Sequence, residues 1–442
     1  MAQVNGNSDA TASTNTGEPI SNGVENETYL ARAQRLLMTT PLIDGHNDFP
    51  YLLRQQLHNE IYAHDLRDNL ACHTSLEKMR RGMMGGQFWS IYVPNPEEMR
   101  LSVPDGGNHE GESGSNGHRC GCEEVGTGKM RSLGLNEPNW GVRDTLEQID
   151  VTHRLITAYP TYLKLCTTSA AVREAHSSGL IASMLGIEGG HSTGNSLGAL
   201  RLFYDTGVRY MTITHNSDNA FGTSWISVDP HVPGAKDHGL TSFGKICVAE
   251  MNRLGMLVDL SHVSAETMRG ALRVAKAPVI YSHSAAWAMT RHGRNVPDDV
   301  LEMVKRNRGV VMVPAVAPFL REKGKGQANV EDMLDHIMYI ARLIGWEHVG
   351  LGSDFDGTTL IIKGLEDTSK WPVLIARLIE RETVTDGQVA GLLGENVLRA
   401  WGEAEDVSKQ LQNKGVLPSE ANWEGRIWEP VNDDVPKVFA EK

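Results

Sequence analysis

The 442-residue sequence predicts an α/β fold, a (β/α)8 TIM barrel, on three observations. Eight short runs recur along the chain, and most are apolar throughout rather than alternating, as parallel strands covered on both faces require. Stretches with helical periodicity separate most of them, so strand and helix alternate in the βαβ manner. Most of the runs also end in ionisable residues, at the edge where a barrel presents its chemistry.

The first run covers residues 41–48 (PLIDGHND). It follows a helical pattern that begins near Glu27, with Tyr29, Leu30, Ala33, Leu36 and Leu37 on one face. The other runs cover 86–93, 181–190, 208–215, 256–262, 278–284, 309–315 and 348–357. Helices are expected over 143–158, 195–206, 241–254, 264–275, 297–307, 329–344 and 370–381. Asn195, Thr241 and Ser264 mark starts, and Pro297 sits near a first turn, with Asn295 and Asp298 read as helix-capping residues. The crossover after the second run breaks the rhythm. Residues at about 95–140 are dominated by Gly, Asn, Ser and Glu, too long and polar for an ordinary connection. They read as a surface insertion, with a lid over the barrel mouth as the functional alternative. The expected organisation is a disordered tail over 1–25, a catalytic barrel over 26–405 and a C-terminal extension over 406–442.

A formal net charge of −13 repels phosphate backbones, so no nucleic-acid partner is expected. The five cysteines are odd in number and irregularly spaced, which excludes a disulfide framework. Cys166 and Cys247 lie in apolar stretches and read as core residues. Cys120 and Cys122 read as loop thiols, with a redox or metal role as the alternative. The N-terminal stretch has no basic start or apolar segment, no run reaches the roughly 18 apolar residues of a membrane span, and the C-terminal stretch lacks a lipid-anchor tail. A cytoplasmic protein without a membrane anchor is the expectation.

The strand ends carry the chemistry. His46 and Asp48 close the first run two residues apart, so both face one side of a strand and can reach one ion. Glu188 follows an apolar run and is costly there unless paired or ligated, and the two glycines after it permit close backbone approach. His215, His262 and His283 end three consecutive runs, and Asp354 and Asp356 end the last. Each alone has an ordinary structural explanation; together at one rim they form a set of N and O ligands suited to zinc. One arrangement fits the count: His46 and Asp48 on one Zn2+, His262 and His283 on a second, and Glu188 bridging both, giving two ions per subunit and a barrel of the metal-dependent hydrolase type. Two such ions activate a water. Asp354 is then the candidate general base and acid, a turn-capping carboxylate being its alternative. His215 is a candidate donor to a substrate carbonyl oxygen, and Arg294 a candidate clamp for a substrate carboxylate, its alternative being a solvated loop arginine. A metal-binding scaffold without turnover would lack a ligand or Asp354, and neither is missing.

These motifs resemble the membrane (renal) dipeptidases, zinc metallopeptidases of the amidohydrolase superfamily, peptidase family M19. The matching residues are DGHNDFP at 44–50, GGQFWSIYVP at 85–94, GIEGGHS at 186–192, RYMTITHNSDN at 209–219, MLVDLSHVS at 256–264, APVIYSHSAAWA at 277–288, RNVPDDVL at 294–301, GSDFDG at 352–357 and GENVLRAW at 394–401. The resemblance spans about residues 27–405. It implies zinc ligation by His46, Asp48, Glu188, His262 and His283, substrate contacts from His215 and Arg294, and Asp354 as catalytic acid/base. It also implies hydrolysis of dipeptides, including those with a C-terminal D-residue, by a chain that, like many family members, pairs as a homodimer. A related hydrolase specialised for a modified dipeptide, such as a Cys-Gly conjugate in secondary metabolism, is the alternative. Mammalian members carry cysteines where this chain has Asn95 and Ser217, so that disulfide is absent. The insertion after Pro94 is not a general family feature.

Overall fold

In the computed structural model, which describes residues 27–95, 140–228 and 235–426, the chain forms one nine-stranded parallel sheet. The strands are β1 Leu42–Asn47, β2 Met84–Tyr92, β3 Leu163–Leu165, β4 Ile181–Glu188, β5 Val208–Thr212, β6 Leu257–Asp259, β7 Ile280–Tyr281, β8 Val310–Val313 and β9 Val349–Leu351. Their order is β2-β1-β9-β8-β7-β6-β5-β4-β3, and a further pairing of β2 with β4 closes eight of them into a barrel. β3 pairs only with β4 and stays outside the closure. All eight expected runs contain a barrel strand. β3 was not anticipated: three residues long, with Lys164 and Leu165 exposed, it lacks the apolar run that marks the others.

The barrel interior changes character along its axis. Ile43, Phe88, Met184, Tyr210, Leu257, Ile280, Val310 and Met312 form one buried cluster. Side chains alternate along a strand, so two residues beyond Tyr210, Leu257 and Ile280 come Thr212, Asp259 and Ser282, all fully buried and polar. The helix Asn396–Asn413 adds Val397, Leu398 and Trp401 to the apolar cluster, with Trp401 5.9 Å from the Phe88 ring, and closes the end opposite the polar one. A second, larger apolar cluster lies between the strands and the surrounding helices.

The seven expected helices are present, at Gly141–Ala158, Leu197–Asp205, Ser242–Leu254, Ala265–Val274, Asp298–Asn307, Val330–Ile344 and Trp371–Arg381. Thr241 and Ser264 cap their helices as expected, each accepting from a backbone N–H in the first turn. Three capping expectations need correction. Ser196, not Asn195, is the cap of its helix, because Asn195 adopts a left-handed backbone one residue earlier. Asn295 is 1% exposed and spends its amide on Thr290 O, Phe319 O and the Ala285 N–H, not on a helix end. Pro297 is the N-cap there, no side chain caps that helix, and Asp298 lies inside its first turn. The helix Asn396–Asn413 runs across the boundary expected at 405, and Ser419 continues the packing through Arg201 and Glu250. Cys166 and Cys247 are buried core residues. The tail over 1–25, Cys120, Cys122 and nearly all of the 95–140 insertion lie outside the described residues. Among the described residues no helix is long and apolar enough to cross a membrane.

Candidate metal centre

The chain places Glu188, the last residue of β4, at the centre of the polar end of the barrel. It is 4% exposed, and its Oε1 faces four imidazoles: His262 Nε2 at 3.0 Å, His46 Nε2 at 3.4 Å, His283 Nε2 at 3.5 Å and His215 Nε2 at 3.7 Å. Ser90 on the paired strand β2 donates to Glu188 Oε2 at 3.2 Å. Asp48 Oδ2 lies 3.3 Å and Asp354 Oδ1 4.0 Å from His46 Nε2. Apart from Ser90, the seven side chains come from the C-terminal ends of β1, β4, β5, β6, β7 and β9, which the barrel topology brings to one rim.

Local backbone makes this convergence sterically accessible. His262 and Asp354 adopt left-handed conformations, φ 65° and 64°, which His and Asp tolerate better than most residues and which turn the chain sharply after its strand. Gly189 has φ 106°, and a Cβ there would lie 2.5 Å from the His191 ring. At Gly357 a Cβ would lie 2.3 Å from Asp48 Oδ2 and 2.5 Å from Asp354 Oδ1, so only glycine leaves both carboxylates in place.

The hydrogen bonds on the far side of each ring decide which nitrogen carries the proton. Trp225 Nε1 donates to Asn216 Oδ1 at 2.9 Å, which marks that atom as the amide oxygen. His262 Nδ1, 3.1 Å from the same oxygen, is therefore a donor. Ser282 Oγ gives its proton to Asp259 Oδ2 at 2.6 Å, so His283 Nδ1 donates to Ser282 Oγ at 2.8 Å. His46 Nδ1 is 3.0 Å from Tyr210 Oη, whose own proton goes to Gly45 O at 3.3 Å. In the neutral form of each ring, Nε2 is then the lone-pair atom. His262 Nε2 and His283 Nε2 point at each other across 3.0 Å, with the Glu188 carboxylate between them and His46. Lone pairs so arranged repel unless cations lie among them. His46 Nε2 and Asp48 Oδ1 are buried without a hydrogen-bond partner among the described residues. The donor set therefore fits metal ions. Three ligand groups lie within coordinating reach: His46, Glu188 and His283; Glu188, His215 and His262; and His46, Asp48 and Asp354.

Electrostatics agree. Burial works against the charge of Glu188, but His46 and His215 outweigh it and hold the carboxyl well below its usual range. Burial, then Arg294 and His215, push His262 well below an ordinary imidazole; burial, then His46 and Arg294, do the same to His283. Neutral imidazoles and an ionised carboxylate are the states a metal requires. Burial also opposes charge on His46, but Tyr210, Glu188 and Asp48 together hold it well above its ordinary value, so metal binding there displaces a proton.

Arg294 is not the solvated loop residue that was its alternative. It is 2% exposed, its guanidinium sits 5.0 Å over the Phe319 ring, and Nη1 reaches His283 O and Ser284 Oγ at 3.5 Å each. On the other side of the mouth Tyr92 packs 4.6 Å from the His215 ring and 5.1 Å from Tyr51. Asn95 and Ser217, the pair at the positions of the mammalian disulfide, are joined by a hydrogen bond of 2.6 Å. Ser90, Tyr210, Asn216, Asp259 and Ser282 had not been singled out in the sequence. Asp259 carried a signal akin to that of Glu188, an ionisable residue within an apolar run rather than after one.

Residues 30–415 match the family described as membrane dipeptidase, peptidase family M19. An uncharacterized dipeptidase of Schizosaccharomyces pombe is 44% identical over 424 residues, 94% of this chain and 93% of the relative. Dipeptidase verJ of Clonostachys rogersoniana is 40% identical over 411 residues, 92% and 96% of the two chains. A metallo peptidase from Rhodobacter sphaeroides, solved with a phosphinate mimic of the dipeptide L-Ala-D-Ala, superposes with a TM-score of 0.67 at 26% identity, covering 83% of this chain and 99% of its own. The chain belongs to the membrane dipeptidase family, peptidase family M19, and is a metallo-dipeptidase.

Proposed function

We propose that the chain hydrolyses the peptide bond of free dipeptides, both L,L and L,D, with two zinc ions bridged by Glu188. The observation that carries this reading is the set of Nε2 atoms gathered around Glu188 Oε1. His46 and Asp48 would hold one ion and His262 and His283 the other. When bound, the ions supply Lewis acidity and bring the pKa of a water molecule toward neutrality.

The remaining roles fall to protein groups. Asp354, 4.0 Å from His46 Nε2, takes a proton from the attacking water and returns it to the leaving amine. His215 donates to the substrate carbonyl oxygen as negative charge develops. Arg294, buried beside His283, holds the free carboxylate of the C-terminal residue, a planar fork against a planar acceptor. A substrate of two residues suits a carboxylate clamp this near the ligands. The L-Ala-D-Ala mimic bound by the Rhodobacter sphaeroides relative supports acceptance of a D-residue at that position.

The test is a substrate panel of L,L-dipeptides, L,D-dipeptides, a Cys-Gly conjugate and a β-lactam, assayed on chelator-stripped protein with and without added zinc. The reading expects zinc-dependent release of amino acids from both dipeptide classes. Turnover confined to the Cys-Gly conjugate would replace it with the specialised alternative, and dipeptide turnover indifferent to chelation would end it.

A further inference from the structure

Asp259 ends β6 beneath the candidate metal centre, fully buried, and no ion pair to it occurs among the described residues. A carboxylate is costly there unless hydrogen bonds replace its hydration. It accepts four: from Thr212 Oγ1 on β5 at 2.6 Å, Ser261 N at 3.1 Å, Ser282 N at 2.8 Å and Ser282 Oγ at 2.6 Å. Ser261 and Ser282 are the residues immediately before His262 and His283. One carboxylate thus sets the exit direction of the two chain segments that carry both imidazoles.

The fourth bond does more than hold backbone. Because Ser282 Oγ donates to Asp259, its lone pair is directed at His283 Nδ1, 2.8 Å away. The negative charge of Asp259 reaches the imidazole through this hydroxyl, fixes the proton on Nδ1 and makes Nε2 the more basic atom. The partners of the other two rings, the Asn216 amide and the Tyr210 phenol, are neutral groups.

We propose that Asp259, acting through Ser282, is a positioning residue that fixes the tautomer and raises the metal affinity of His283. The inference rests on the metal reading given above. A purely structural carboxylate would matter equally through any of its donors, whereas the proposed relay runs through Ser282 alone.

Zinc affinity of stripped protein, measured by competition with a chromophoric chelator, separates the two. Ser282→Ala should weaken one of the two ions roughly 10–100-fold, the cost of losing such an outer partner, while the other ion changes less than about threefold. Ser282→Thr, which restores a hydroxyl, should recover the affinity. Thr212→Ala removes a donor to the same carboxylate without touching His283 and should change neither ion more than about threefold. The cobalt-substituted Ser282→Ala protein should show an altered d–d spectrum at the weakened site. Asp259→Asn should act like Ser282→Ala where it folds; Ser282→Ala decides the matter where it does not. Affinities of Ser282→Ala within threefold of wild type, or equal losses from Ser282→Ala and Thr212→Ala, would overturn the proposal. A wild-type chain that takes up no zinc would instead overturn the metal reading itself, and this inference with it.

Discussion

Asp354→Asn isolates proton transfer from everything else in the site. Asp354 has φ 64°, and asparagine adopts the left-handed backbone as readily as aspartate, whereas alanine there would cost about 1–2 kcal/mol of strain. The amide matches the carboxylate in size, so it fits the space beside Gly357, where a Cβ would lie 2.5 Å from Asp354 Oδ1. Asp354 Oδ1 is 4.0 Å from His46 Nε2, while Asp48 Oδ2 is at 3.3 Å and Glu188 Oε1 at 3.4 Å, so the nearer ligands remain. A positioned general acid–base contributes roughly 10²–10⁴ in rate, about 3–5 kcal/mol of barrier. Steady-state kinetics on a dipeptide should therefore show kcat falling by about that factor, with the zinc content from elemental analysis unchanged. A kcat within threefold of wild type refutes the general-base role. A fall in rate that tracks loss of zinc refutes it as well, since Asp354 would then be a ligand.

Arg294→Ala should raise KM for dipeptides roughly 10–100-fold, the worth of charge-assisted hydrogen bonds to a carboxylate. It should leave dipeptide amides, which lack that charge, nearly unaffected; equal effects on both would remove the clamp. Gly357→Ala should cost both activity and zinc affinity, because its Cβ displaces Asp48 and Asp354, and a variant with wild-type zinc binding would contradict that crowding. His336 accepts from the Ala286 N–H through Nδ1 and donates to Leu320 O through Nε2, and burial lowers its pKa to about 4. The unfolded chain, with an ordinary imidazole, takes up its proton first as pH falls, so this contribution is complete above about pH 6.5 and is lost between there and pH 4. Its full size is about 3 kcal/mol, from the shift and 1.36 kcal/mol per unit. Urea unfolding at pH 7 and pH 5 should show the loss in wild type and a shallower pH dependence in His336→Gln; equal slopes would contradict it.

Much of this was legible in the sequence because barrel physics writes it there. Strands buried on both faces must be apolar throughout, so all eight announce themselves, and a charged residue at the end of such a run stands out. That signal located His46, Glu188, His262, His283 and Asp354 at one rim. β3, with two of its three residues exposed, has no such run. The helix Ser169–Ser177, nine residues long in the crossover between β3 and β4, escaped the helix pattern. The positioning groups were harder. Tyr210 reads as one more core aromatic in VRYMT, and only the bare Cα of Gly186, where a Cβ would lie 2.0 Å from the tyrosine ring, shows that space is reserved for its hydroxyl to reach His46. Asn295 misled for a related reason: its position before a helix suggests a cap, but three-dimensional neighbours claim its amide first.

The most direct test of the central claim, that the imidazoles around Glu188 are a metal site, is the zinc stoichiometry of chelator-stripped protein set against recovered activity. The account predicts two zinc ions per chain at saturation, no dipeptide turnover at zero zinc, and activity that returns with occupancy. Full turnover by a protein that elemental analysis finds empty would contradict it.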